Sequence, residues 1–198
     1  MVEKSRLKDA SSLAILHYHT LTEGFLSRLG TGFLRSLYTF LIKHEIVLVY
    51  IEEGKVIGFV SCSVNTEGMM KRFLLKSPSG IGSILWNLFK NPMLIKSLFE
   101  TFLAPSKSNN TERSGVQLPQ TELLSISVDP KAQKNQIGTQ LVETLEETLR
   151  EKGIKEYKVV AGESLTGANK FYLKNGFVLA TKIRIHGNSI SNVYVKSI

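Results

Sequence analysis

The sequence predicts a sheet of mixed strand direction flanked by helices, an α/β arrangement of the α+β kind, and three observations carry that expectation. Two β-rich runs at residues 46–51 and 56–63 are separated by Glu52-Glu53-Gly54-Lys55, a short glycine-containing turn that closes an antiparallel hairpin. From residue 121 onward, extended apolar runs alternate with helical periodicity in the order strand, helix, strand, helix, strand, strand. The 198 residues are 42% hydrophobic, which supplies one core and fits one domain over residues 1–198.

Taken in order, residues 2–7 read as a short strand. Residues 11–20 read as a helix, with Asp9 or Ser11 as its N-cap. A second helix spans 32–43, where Phe33, Leu34, Leu37, Phe40 and Leu41 keep helical spacing. After the hairpin, Ile84, Leu85, Leu88 and Phe89 recur at the same spacing. So do Leu94, Ile95, Leu98, Phe99 and Phe102, with a break at Asn91-Pro92. Two helical pieces inserted between sheet strands over residues 64–116 are therefore expected, followed by a polar loop that carries Pro105.

The strand at 121–128 ends at Asp129-Pro130. The helix at 138–152 places Leu141, Val142, Leu145 and Leu149 on one face and stops at Gly153. Residues 157–161 form a short buried strand and 167–175 a short helix ended by Gly176. Residues 177–185 and 191–195 form a closing antiparallel pair.

Composition narrows the chemistry. A formal charge of +8 favours polyanionic partners such as phosphates. Cys62 is the single cysteine, so an intramolecular disulfide is excluded and a thiolate zinc cluster lacks ligands; no metal is expected. His17 and His19 are two apart on a helix and point in different directions, a poor metal pair. Residues 2–10 are charged and mixed, unlike a secretory signal. The apolar stretch 81–103 is interrupted by Lys90, Pro92, Lys96 and Glu100, so stable membrane insertion is not expected and the cytoplasm is the expected compartment. No nucleic-acid-binding motif occurs, and nucleic acid is not an expected partner.

The most informative stretch is 124–141, where a buried strand turns through a polar loop into an amphipathic helix. Loop amides and the unpaired N–H groups of the first helical turn converge there, the helix dipole adds positive charge, and Lys131 and Lys134 flank the place. A pyrophosphate suits it. An ordinary strand–loop–helix connection has the same outline.

Gln133 and Gly138, after Val128 and Pro130 at the strand end, resemble the acetyl-CoA-binding motif Gln/Arg-x-x-Gly-x-Gly/Ala of the GCN5-related N-acetyltransferase (GNAT) superfamily. Gln136 departs from it, standing where the family has its first glycine; a glutamine is tolerated there if φ stays negative. Residues 167–177 are similar to a second signature, Ala-x-x-Phe-Tyr-x-x-x-Gly-Phe, through Ala168, Phe171, Tyr172, Gly176 and Phe177.

The resemblance implies a sheet whose motif strand splays from the next one. The pantetheine arm of acetyl-CoA, the co-substrate, would then lie against Ile126, Ser127 and Val128, and its phosphates against Gln133, Lys134, Asn135, Gln136, Ile137, Gly138 and Thr139. It makes Tyr172 the general acid for the departing thiolate, with a backbone N–H of the splayed strand polarising the carbonyl. Asn169 is a further cofactor contact. Glu122 lies six positions before Val128, where the histone-modifying branch of the family has a catalytic glutamate, and is the candidate base, with a water chain as the alternative.

The implied activity is acetyl transfer to a primary amine of a small molecule. An amino-sugar nucleotide is the first acceptor considered, by similarity of residues 24–30 and 33–38 to uncharacterised family members. The alternative is a catalytically degenerate member acting as an interaction or peripheral membrane protein through residues 71–102, a stripe that would also serve as a homodimer face.

Overall fold

A computed structural model describes residues 1–77, 117–133, 135–186 and 189–198. Among the described residues seven strands form one sheet: β1 (Val2–Lys4), β2 (Ile46–Glu52), β3 (Lys55–Ser63), β4 (Glu122–Val128), β5 (Glu156–Gly162), β6 (Val178–His186) and β7 (Ser189–Ser197). Their spatial order is β1-β2-β3-β4-β5-β7-β6. Every neighbouring pair is antiparallel except β4 and β5, so the sheet is mixed as expected.

The hairpin forms where its turn residues place it. Glu53 and Gly54 take φ of 49° and 74°, and the turn closes on the pair Glu52–Lys55. Strand β1 is shorter than the sequence suggests. Ser5 donates its N–H to the Val47 carbonyl at 2.9 Å, after which a 3-10 turn, Leu7–Asp9, takes over. Asp9 stands at the N-cap of the next helix, but its carboxylate accepts from Arg6 N–H at 2.7 Å and so closes the preceding turn.

Helices cover both faces. On one lie α1 (Ala10–Thr20), the single turn α2 (Phe25–Arg28), α3 (Gly30–His44) and α4 (Met69–Lys76). Leu13, Phe33, Leu34, Phe59 and Phe73 are fully buried there, and Phe73 meets Phe33 edge-to-face with centroids 5.6 Å apart. Sequence periodicity finds α1 and α3 but misses α2, which is too short to show a period. Of the expected insertion, residues 64–77 are described and contain α4; the helical pieces expected at 84–102 lie outside the described residues.

The other face carries α5 (Ile137–Glu151) and α6 (Thr166–Lys174). Leu141, Leu145 and Leu149 of α5 are 0% exposed, each contributing about 1.5–3 kcal/mol by burial against Val60, Cys62, Leu123 and Tyr157. Glu146, buried in the same stripe, is satisfied by the Tyr157 hydroxyl at 2.8 Å and the ammonium of Lys196. Gly58 lets α5 approach: a Cβ there would stand 3.1 Å from Ile137 Cγ2 and 3.3 Å from Leu141 Cδ1. The strand–loop–helix of interest is thus pinned to the sheet at its helical end.

Candidate active site

The site is built by β4, whose two edges have different partners. On one side it pairs with β3 through Gly58–Val128, Phe59–Ser127, Val60–Ile126 and Ser61–Ser125, then Cys62–Leu123, so Leu124 is an extra residue, a bulge. On the other side it meets β5 only at Glu122–Lys158 and Leu123–Val159. Beyond these two rungs β5 continues to Gly162 paired with β7, and β4 continues paired with β3 only, among the described residues. The splay implied by the family resemblance is present.

Antiparallel residues alternate between facing their partner and facing away. Asp129 donates to the Ile57 carbonyl at 2.7 Å, which sets Ser127 in the hydrogen-bonded pair with Phe59 and turns the backbones of Ile126 and Val128 to the free edge. Of the three residues expected to present free amides, Ser127 does not: its amide faces β3. Its side chain, 8% exposed, donates to Thr20 Oγ1 at 2.6 Å and ties β4 to the end of α1. Alternation keeps three consecutive residues from presenting amides to one edge, and the pairing with β3 selects Ile126 and Val128.

The loop after β4 is a 3-10 turn, Pro130–Ala132, capped by Asp129, whose Oδ1 accepts from Lys131 N–H at 2.9 Å. Gln133 is exposed, and its Nε2 donates to the Val128 carbonyl at 3.4 Å. Asn135 and Gln136 are exposed; Lys134 lies outside the described residues. Gln136, the N-cap of α5, has φ 58° and ψ 11°, so the negative φ expected for a glutamine is overturned. The helix start requires a left-handed residue, and glutamine occupies it at a steric cost.

No side chain caps α5. The N–H groups of Ile137, Gly138 and Thr139 are the unpaired donors of its first turn, while Gln140 N–H already bonds the Gln136 carbonyl at 3.0 Å. They form an anion-binding start beside the free edge of β4. Ile137 itself is buried against the sheet, so its side chain anchors the turn. A Cβ on Gly138 would come 3.0 Å from Phe171 Cε2, so packing of α6 on α5 is one reason for a glycine there.

Tyr172 stands in the last turn of α6, 6% exposed, among Phe171, Phe177 and Tyr194 with centroids 5.4–5.9 Å away. Its hydroxyl has no hydrogen-bond partner among the described residues, and burial pushes its pKa above the ordinary phenol value. Asn169 differs from expectation. Its Nδ2 donates to the carbonyls of Gly162, Glu163 and Leu165 at 2.8–3.2 Å, and its Oδ1 accepts from Asn192 Nδ2 and the Tyr194 hydroxyl at 3.0 and 2.9 Å. With its polar atoms so engaged, it fixes the β5–α6 turn and has no group left for a cofactor.

Glu122 lies on the opposite face from Tyr172. Leu123, Tyr157 and Val159 point into the core under α5, so the paired residues Glu122 and Lys158 point the other way. Their side chains are 22% and 14% exposed with Nζ 3.5 Å from Oε2, and the same ammonium donates to the Pro119 carbonyl. Burial pushes the Glu122 carboxyl above the usual carboxylate range, and Lys158 pulls it back down.

Further along this face the Ser125 side chain bonds the Tyr38 hydroxyl, which meets His17 Nδ1 at 2.6 Å. His17 is stacked on Phe59, and burial lowers its pKa to about 4, so it is neutral at pH 7. His19, by contrast, is exposed, as expected for two helix positions that diverge. Sequence reasoning missed Lys158 and the Thr20–Ser127 and Tyr38–Ser125 links. Each pairs residues far apart in the chain, with no local signal to connect them.

The comparisons with known proteins agree with this geometry. Residues 102–177 match the model of the Acetyltransferase (GNAT) family. No curated protein matches the chain. An N-acetyltransferase from Staphylococcus aureus Mu50 is similar in structure with a TM-score of 0.61 at 17% identity, over 99% of this chain and 100% of that one. PaiA N-acetyltransferase from Thermoplasma acidophilum, solved in complex with coenzyme A, gives 0.61 at 14% identity over 100% and 98%. Ribosomal-protein-alanine N-acetyltransferase from Brucella melitensis gives 0.63 at 15% identity over 100% and 99%. At these identities the structural likeness speaks to the fold, and the sequence match over 102–177 falls on the strand–loop–helix and α6 described above. Residues 102–177 thus carry the sequence match to the Acetyltransferase (GNAT) family, and the fold as a whole is the one shared by these N-acetyltransferases.

Proposed function

We propose that the protein transfers an acetyl group from acetyl-CoA to the primary amine of a small molecule, and that residues 1–198 act as one domain carrying an insertion at 64–116. The observation that carries this reading is the coincidence of two unsatisfied backbone features at one end of β4. Ile126 and Val128 turn their amides into the gap, and the uncapped first turn of α5 presents Ile137, Gly138 and Thr139 beside it. The first pair suits an extended amide-bearing arm, the second a pyrophosphate. Gln133, Asn135 and Gln136 belong to the loop beside the phosphates, and Lys134, outside the described residues, is proposed to add charge there.

Bound acetyl-CoA supplies the activated acetyl thioester. The chain's own residues then have three tasks. The backbone N–H groups of Ile126 and Val128 are placed to polarise a carbonyl lying in the gap. Tyr172, kept protonated by burial, holds a proton on the α5 face for a departing thiolate. Glu122 approaches from the other face and takes the proton from the acceptor amine, directly or through water.

An amino-sugar nucleotide remains the first acceptor to test. The face that bears Glu122 also bears the hydroxyls of Thr20, Ser125 and Ser127, and its carboxylate is balanced by Lys158, a lining suited to a neutral, hydroxyl-rich group. The excess positive charge of +8 suits a phosphate-bearing acceptor.

Isothermal titration with acetyl-CoA tests the donor site. Micromolar binding that is lost on Gly138→Trp or Lys134→Glu is expected, and absence of binding at millimolar acetyl-CoA overturns the reading. A panel of primary amines, UDP-amino sugars first, followed by thiol release then identifies the acceptor.

A further inference from the structure

We infer that Lys158 is a positioning residue that keeps Glu122 ionised at neutral pH and holds it at the closed end of the gap. This inference rests on the proposed role of Glu122 as base and adds a residue that neither the family motifs nor the sequence pattern indicates.

The geometry is specific. Glu122–Lys158 is one of the only two rungs that join β4 to β5, and it is the rung whose side chains leave the α5 core for the opposite face. Lys158 Nζ is 3.5 Å from Glu122 Oε2, and a second hydrogen bond to the Pro119 carbonyl fixes the ammonium from below. The ammonium is therefore anchored independently of the carboxylate, which can lose or gain a proton without releasing its partner.

A base for an amine must be unprotonated at the pH where it works, and a carboxyl as enclosed as Glu122 would by itself tend toward the neutral acid. An adjacent fixed cation opposes that tendency. Among the described residues the charged group that acts on Glu122 is Lys158 on β5; the Cys62 thiol on β3 lies on the α5 face beside Leu123, and burial keeps it protonated and uncharged. The Ser63 hydroxyl, across the ladder from Glu122, carries no charge. The Glu45 carboxylate on the α3–β2 connection is bound by Arg72 at 3.3 Å. Both charges come from adjoining strands, so the pair is set by sheet register rather than by a flexible loop.

The test needs no acceptor. In the full chain labelled with carbon-13 glutamate, the Glu122 carboxyl resonance, assigned by its absence in Glu122→Gln, is followed against pH. Lys158→Met moves its midpoint to higher pH, and Lys158→Arg, which keeps the charge, leaves it near the native value. Lys158→Gln keeps a donor for the Pro119 carbonyl and must behave as Lys158→Met does; it also serves if the methionine variant folds poorly. A midpoint that stays put in both neutral variants overturns the inference.

The pH profile of thiol release, with an amine found in the panel above, separates the two readings. Lys158→Met lowers kcat/KM about tenfold or more on the acid limb and returns to within about twofold of native at the alkaline plateau. If the limb persists unchanged in Glu122→Gln, the base assignment fails and the catalytic part of this inference with it. If Glu122→Gln removes the limb while Lys158→Met leaves it in place, Glu122 stands and Lys158 does not.

Discussion

Replacing Gln136 by glycine tests the reading of the cofactor loop most directly. At φ 58° and ψ 11° the residue is in the left-handed helical region, where a Cβ crowds the following carbonyl at a cost of about 1–2 kcal/mol. Glycine escapes that cost but enlarges the unfolded ensemble, which takes back about 0.4–1 kcal/mol. Gln136 is exposed and its side chain caps nothing, so its removal sacrifices no contact. The net expectation is a gain of roughly 0.7 kcal/mol, or about 2 °C in Tm for a chain of this size. Urea denaturation is the assay, with the gain appearing as a higher midpoint at unchanged slope. Gln136→Ala keeps the Cβ and the strain and should leave the midpoint where it is. A Gln136→Gly variant no more stable than Gln136→Ala would refute the argument from backbone strain. In the same variant acetyl-CoA should bind more tightly, since glycine lets a phosphate approach the backbone of the turn.

Asn169→Ala should destabilise the protein by about 2–3 kcal/mol, because Asn192 and the Tyr194 hydroxyl lose a buried acceptor, while acetyl-CoA affinity of the folded variant stays within about threefold; a large loss of affinity at unchanged stability would restore a cofactor role. Tyr172→Phe should lower kcat about ten- to a thousandfold while acetyl-CoA binding by calorimetry is little changed, and native turnover would remove it from the mechanism. Acid should weaken the fold through His17. Its folded pKa of about 4 lies below the unfolded 6.5, so the unfolded chain binds the extra proton. The neutral burial therefore contributes fully above pH 6.5 and is lost progressively as pH falls toward 4, by up to about 3 kcal/mol. Denaturation at pH 7 and pH 4.5 should show a smaller drop in His17→Gln than in the native protein.

The parts of this molecule legible in its sequence are those dictated by near neighbours. The hairpin at Glu52–Lys55 follows from a glycine turn between β-branched runs, and the buried stripe of α5 follows from leucines at helical spacing. The splay of β4 from β5 is legible only through motif resemblance, since strand pairing across the intervening α5 leaves no local mark. The bulge at Leu124 is not legible at all, nor is the pairing with β3 that turns Ile126 and Val128, rather than Ser127, to the gap. Gln136 misleads, because a glutamine argues for negative φ while the start of α5 imposes the opposite. Asn169 is polar and helical and reads like a ligand contact, whereas it closes the turn its own helix begins from. The Glu122–Lys158 pair depends on parallel register, the least local property of a sheet.

Two rungs at the centre of a seven-stranded sheet have a mechanical meaning. β1 to β4 make one leaf, β5 with β7 and β6 another, and the leaves meet along a seam with little backbone bonding, spanned covalently by α5 and its flanking loops. Amide protons flanking such a seam exchange through small openings rather than through unfolding of the whole chain. In evolutionary terms the two leaves are free to diverge at different rates. The start of α5 is packed on the β1–β4 leaf through Gly58, so the exposed amides of Ile126 and Val128 keep their place beside it whatever changes in the other leaf.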